Sequence, residues 1–101
     1  MLELRPICEN CSKDLPNDSD EAMICTFECT FCADCVHDIL KNVCPNCGGG
    51  FEKRPTRPTT CLTKNCITNY PASTEKKSKP VNHEKFKAIQ DAFINIDPRK
   101  R

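Results

Sequence analysis

Two stretches of the chain carry apolar residues at helical spacing. Val36, Ile39, Leu40 and Val43 fall at i, i+3, i+4 and i+7, which predicts a short helix with one apolar face. After Pro80, Phe86, Ile89, Phe93 and Ile96 recur at i, i+3, i+7 and i+10, while Lys85, Lys87, Gln90 and Asp91 lie off the stripe. That pattern predicts an amphipathic helix within residues 81–97. Its start is signalled by Asn82 as cap, Glu84 in the first turn and Val81 with Phe86 at staple spacing, and its end by Pro98. The stripe needs a cover. The plain one is the first half of the same chain; self-association or a partner groove is the alternative.

Between these stretches the periodicity lapses. Gly48, Gly49 and Gly50 are followed by a run in which Pro55, Pro58, Pro71 and Pro80 are scattered among threonines and serines. Residues 52–80 therefore read as a basic linker of low order. The expected organisation is a module over residues 1–51, this linker, and the helical tail at 81–97.

Composition changes the picture of the first segment. The chain has 101 residues, ten cysteines, three glycines and no tryptophan, and eight of the cysteines lie between Cys8 and Cys47. So short a stretch does not bury a self-sufficient core and calls for a metal or disulfides. The opening MLELRPICEN has no apolar run of signal-peptide length, and no transmembrane segment is visible, so a reducing cytoplasmic location is expected. There, Cys-x2-Cys pairs read as metal ligands before they read as bridges.

The cysteines form four pairs, Cys8-x2-Cys11, Cys25-x3-Cys29, Cys32-x2-Cys35 and Cys44-Pro45-Asn46-Cys47. Two or three intervening residues let both sulfurs of a pair reach one tetrahedral zinc ion, and two pairs close a site. Four pairs can be divided between two ions in three ways, and Cys29 could instead partner Cys32. If alternate pairs share an ion, the sites interlock, with Cys8, Cys11, Cys32 and Cys35 on one and Cys25, Cys29, Cys44 and Cys47 on the other.

In that order of ligands, with Phe31 before the fifth, residues 8–47 resemble the RING finger family. The resemblance implies a small, irregular α+β module of treble-clef type, cross-braced around two structural zinc ions. A short β-hairpin near the second pair and a helix after Cys35 would belong to it. The stretches MLELRPICENCSKDLP, CTFECTFCADC and CPNCGGGFEKRPTRP also resemble a small family of uncharacterised bacterial cysteine-rich proteins. That likeness implies short members ending near RPTRP, with no activity to carry over.

A zinc ion with four thiolate ligands has no open position, so the expected role is structural and the chain is expected not to be an enzyme. A protein-interaction scaffold is the leading reading. A RING-type ubiquitin-ligase-like adaptor is the alternative, although such ligases favour an aliphatic residue in the first turn, a large apolar residue later and an arginine after the last ligand. Here those places hold Glu9-Asn10, no tryptophan and Gly48; only Pro45 agrees. Redox exchange is disfavoured because the thiolates are committed to metal.

Charge separates the halves. Residues 1–47 hold three Lys or Arg against nine Asp or Glu, and residues 48–101 hold twelve against five. An acidic metal module is a poor phosphate binder, so nucleic acid could be met only by the basic tail, where Tyr70 is the one linker aromatic. Solvated charge, or attraction to the acidic half, accounts for the tail equally well. Cys61 and Cys66, at x4 spacing, read as two accessible thiols before a third metal site with His83. His37 reads as a surface histidine, and Asp14, Asp18, Asp20 and Glu21 as loop carboxylates without an accompanying nucleophile. The protein partner and the oligomeric state are not specified by the sequence.

Overall fold

The structure is a computed structural model that describes every residue from Met1 to Arg101. Strand β1 (Ala22–Ile24) is the centre of a small antiparallel sheet. It pairs with β2 (Thr30–Cys32) through Ala22↔Cys32, Met23↔Phe31 and Ile24↔Thr30, and with β3 (Glu52–Lys53) through Met23↔Lys53 and Ile24↔Glu52. The β1–β2 hairpin brackets the second cysteine pair, since Cys25 and Cys29 are the first and last residues of its connecting turn. β3 lies in residues read from sequence as linker. It is only two residues long, too short to show a period.

Of 38 backbone hydrogen bonds, 23 lie outside helices and strands. Turns therefore carry much of this fold, as a small α+β domain built around short cysteine loops requires. The core is correspondingly unusual: six of its 14 clustered residues are cysteines. The others are Leu15, Ala22, Phe31, Val36, Leu40, Val43, Phe51 and Phe86. Phe31 and Phe51 meet edge to face with ring centroids 5.4 Å apart.

After β2 the chain enters a π-wound segment, Cys35–Leu40, which closes on Lys41 in the left-handed region at φ 51°. The backbone N–H groups of Lys41 and Asn42 both donate to the Val36 carbonyl. The wider turn changes which side chains face inward. Val36, Leu40 and Val43 are fully buried, whereas Ile39, placed on the same face by α-helical spacing, is 37% exposed.

The tail helix, α1, spans His83–Phe93, shorter than the 81–97 expected. Asn82 caps it, its Oδ1 accepting from the N–H groups of Glu84 and Lys85. Pro98 opens a 3-10 turn, Pro98–Lys100, rather than only ending the helix. The module covers the stripe except at its end: Phe86 belongs to the core, Val81, Ile89 and Phe93 pack against it, and Ile96 is 39% exposed. Gln90 Nε2 donates to the Ile39 carbonyl at the end of the π segment and to the Leu40 carbonyl, which also accepts from Val43 N. Arg101 Nη1 reaches the Asn42 and Gly48 carbonyls. No helix is long and apolar enough to cross a membrane.

Gly48 shows how closely the tail approaches. It sits at φ +78°, and a Cβ there would meet Phe93 Cε2 at 2.6 Å. Gly48→Ala is therefore expected to lower stability by roughly 1–3 kcal/mol and to displace the end of α1. A urea midpoint and the amide spectrum of residues 86–96 would check this; an unshifted midpoint contradicts it.

Residues 54–80 form no helix or strand, but they are anchored. Ser73 N donates to Leu4 O, Lys79 N to Glu9 O, and Asn17 exchanges two hydrogen bonds with the Arg57 backbone. Cys61 and Cys66 correct the expectation of two accessible thiols. They form a disulfide, with Cys66 fully buried, so neither offers a thiolate to a third metal ion.

Candidate metal centre

The sulfurs of Cys8, Cys11, Cys32 and Cys35 lie within 4.8 Å of one another, and those of Cys25, Cys44 and Cys47 form a second such group. The first and third pairs thus meet at one point, and the fourth pair meets one member of the second at another. Local structure makes these meetings possible. Ser12, at φ 63°, donates its N–H to Cys8 O and turns the first pair; Gly48 N donates to Cys44 O and turns the last. β2 delivers Cys32, and the start of the π segment delivers Cys35.

The geometry of the first group fits a thiolate-bound dication. Cys11 Sγ lies 3.7 Å from Cys32 Sγ, and the edge of a tetrahedron with Zn–S bonds of about 2.3 Å is about 3.8 Å. Cys29 Sγ does not share the close mutual spacing of the second group. It remains beside it, with its carbonyl accepting from Cys25 N and its Sγ accepting from Asn46 Nδ2 at 3.4 Å. Two groups, of four and three cysteines, can therefore bind metal ions.

Electrostatics call for the same occupant. Burial pushes the thiols of Cys29, Cys32 and Cys35 up. In the second group the hydrogen bond from Cys44 holds the Cys25 thiol down to about 5, and that same bond, together with burial, keeps Cys44 protonated. Several buried thiolates are compatible only around a cation.

The direction of pH dependence follows. A thiol whose folded pKa lies below its unfolded value of about 8.5 adds stability that is full above that value and disappears as pH falls to the folded one. Cys25 is shifted this way, to about 5, against the opposite shift of its partner Cys44, and a bound dication lowers every ligand thiol. Acidification from about pH 8 to about pH 4 is expected to release metal and unfold the module together. A chromogenic chelator and amide dispersion report the two events; a folded, metal-loaded chain at about pH 4 contradicts it.

Two asparagines missed by ligand-spacing arguments complete the site. The first and last pairs both read Cys-x-Asn-Cys, and that shared position is the signal that could have found them. Asn10 Nδ2 donates to Cys35 Sγ at 3.4 Å, while its Oδ1 accepts from Val81 N. Asn46 Nδ2 donates both to Cys29 Sγ and, at 3.1 Å, to Glu9 Oε2. The Asn46–Glu9 bond ties the turn of the first pair to the turn of the last. Such contacts orient ligands and temper sulfur charge. His37 and His83 are both exposed and belong to neither cysteine group.

Residues 1–57 match the family described as "Protein of unknown function (DUF1272)". The chain belongs to this family. All eight cysteines of the four pairs, the paired asparagines and Arg54 lie within the family match, whereas Cys61, Cys66 and α1 lie beyond it. A protein of Rhizobium meliloti (strain 1021), described as "Uncharacterized protein R02474", is 58% identical over 80 residues, spanning 79% of this chain and 89% of the relative. No solved structure matches the chain.

Proposed function

We propose that the chain is a non-catalytic zinc protein in which two interlocked structural centres hold a surface for a protein partner. Cys8, Cys11, Cys32 and Cys35 form one centre, and Cys25, Cys29, Cys44 and Cys47 the other, in the cross-braced manner of RING-like modules. The close four-sulfur group carries this reading. Cys29 supplies the fourth ligand of the second centre, since an ion draws in a sulfur that the Cys25 N–H to Cys29 carbonyl bond and Asn46 already hold nearby. Centres closed by four thiolates support folding and leave no position for substrate.

The partner contact lies at the tip of the hairpin. Phe27, between Cys25 and Cys29, is 72% exposed, and a large aromatic on a metal-stiffened turn is a pre-organised anchor. Several basic residues of the second half have internal partners: Lys77 pairs with Glu3, Arg57 with the Tyr70 and Leu2 carbonyls, and Arg101 with Asn42 and Gly48. This favours a protein partner over nucleic acid. A pull-down from the native host tests the reading: Phe27→Asp should abolish capture of a partner that the unaltered chain retains, with metal content unchanged. Equal capture by both, or retention on DNA or RNA instead, overturns it.

A further inference from the structure

The eight sulfurs of the two centres differ in access. Cys8, Cys25, Cys29, Cys32, Cys35 and Cys44 are buried and Cys47 is half-buried; Cys11 is exposed. Its Sγ also lies 3.7 Å from Cys32 Sγ. We propose that Cys11 is an oxidation site through which hydrogen peroxide converts the Cys11–Cys32 pair to a disulfide and expels zinc from the first centre. The proposal rests on the reading of that centre as a zinc site.

The chemistry balances with the peroxide as sole oxidant. Cys11 sulfur attacks one peroxide oxygen, the O–O bond breaks, and the departing oxygen leaves as hydroxide that takes up a solvent proton. Cys11 is then a sulfenic acid. Cys32 Sγ attacks the Cys11 sulfur, forming the S–S bond and breaking S–O, and the second hydroxide leaves as water on protonation. The two thiolates have lost two electrons, and one peroxide with two protons has become two waters. The ion keeps only Cys8 and Cys35, too few to hold it against solvent.

Closing from the observed spacing to a bond of about 2.05 Å requires the Cys8–Cys11 turn to move, and Cys11 stands at its exposed end. The strap of residues 78–81 secures it through Ser78 Oγ to Ser12 Oγ at 3.2 Å, Lys79 N to Glu9 O at 2.8 Å and Val81 N to Asn10 Oδ1 at 2.9 Å. Asn10 links this strap directly to Cys35. Oxidation therefore also loosens the lead-in to α1. The second centre is shielded by comparison, with Cys25, Cys29 and Cys44 buried and Gly49 N donating to Cys47 Sγ.

The test exposes zinc-loaded full-length protein to hydrogen peroxide in the presence of a chromogenic chelator, followed by peptide mapping. Because the new Cys11–Cys32 bond still ties the first pair to the third, the second centre keeps its fold: one zinc equivalent should leave while one stays, and a Cys11–Cys32 linked peptide should appear beside the existing Cys61–Cys66 link. Cys11→His, which keeps a ligand but removes the sulfur, should slow release roughly tenfold or more. Joint release of both equivalents overturns the proposal. So does release without the Cys11–Cys32 peptide, or no release at peroxide levels that oxidise free cysteine. Starting metal content separates the failures: a chain that never held two equivalents refutes the zinc reading and the proposal with it, whereas a fully loaded chain that ignores peroxide refutes the proposal alone.

Discussion

Replacing Cys32 with serine is expected to unfold residues 7–50 and to empty at least the first centre. Cys32 is 2% exposed and serves twice, as a sulfur of the first group and as the β2 residue opposite Ala22. A structural zinc site contributes about 10–16 kcal/mol of apparent binding free energy in zinc-finger peptides, whereas a whole domain is stable by only about 5–15 kcal/mol. The eight non-cysteine side chains of the core cannot make up such a loss in so small a module. Treatment of the unaltered chain with a strong chelator should have the same result, seen as collapse of amide dispersion and protease cleavage within the module. A Cys32→Ser chain with native dispersion would show that packing alone holds the fold.

Arg54→Ala is expected to have the next largest effect, a loss of roughly 3–5 kcal/mol at saturating zinc. Arg54 is 2% exposed, and burial lowers its pKa below the ordinary guanidinium value. Its Nη1 donates to Arg5 O at 2.8 Å, and its Nη2 to Leu15 O at 3.1 Å and Pro16 O at 3.0 Å. The guanidinium thus stitches the N-terminal segment and the first long loop to the strand that leaves the last metal turn. Alanine strands the Arg5 and Leu15 carbonyls, since Pro16 O keeps its bond from Ser19 N, and leaves a void. Lysine cannot reproduce the planar fork, so Arg54→Lys should recover only part of the loss. Urea midpoints measure both; a shift below about 1 kcal/mol for alanine would show that these carbonyls find other donors.

The cysteine spacing made a metal module legible because short turns constrain where sulfurs can go. Asn82 and Phe86 were legible too, since helix caps and staples are local. Arg54 was not: within EKRPTR it reads as one more solvated charge, and only the fold brings three carbonyls around it. The π winding escaped for a related reason, because Val36, Ile39, Leu40 and Val43 satisfy the α period and only tertiary packing turns Ile39 outward. Cys61 and Cys66 carry no local mark that separates a thiol pair from a bridge. Cys29 is the residue on which spacing and geometry differ most, grouped by spacing with Cys25, Cys44 and Cys47 but standing just outside their close contact.

On the function proposed above, two ions bound by cysteine sulfur hold this fold together. Native mass spectrometry of the chain purified without added metal tests it most directly. A mass increment of two zinc ions per chain, lost with unfolding on chelation, is expected. A chain that carries one ion or none, yet keeps a native spectrum of dispersed amides, would contradict it.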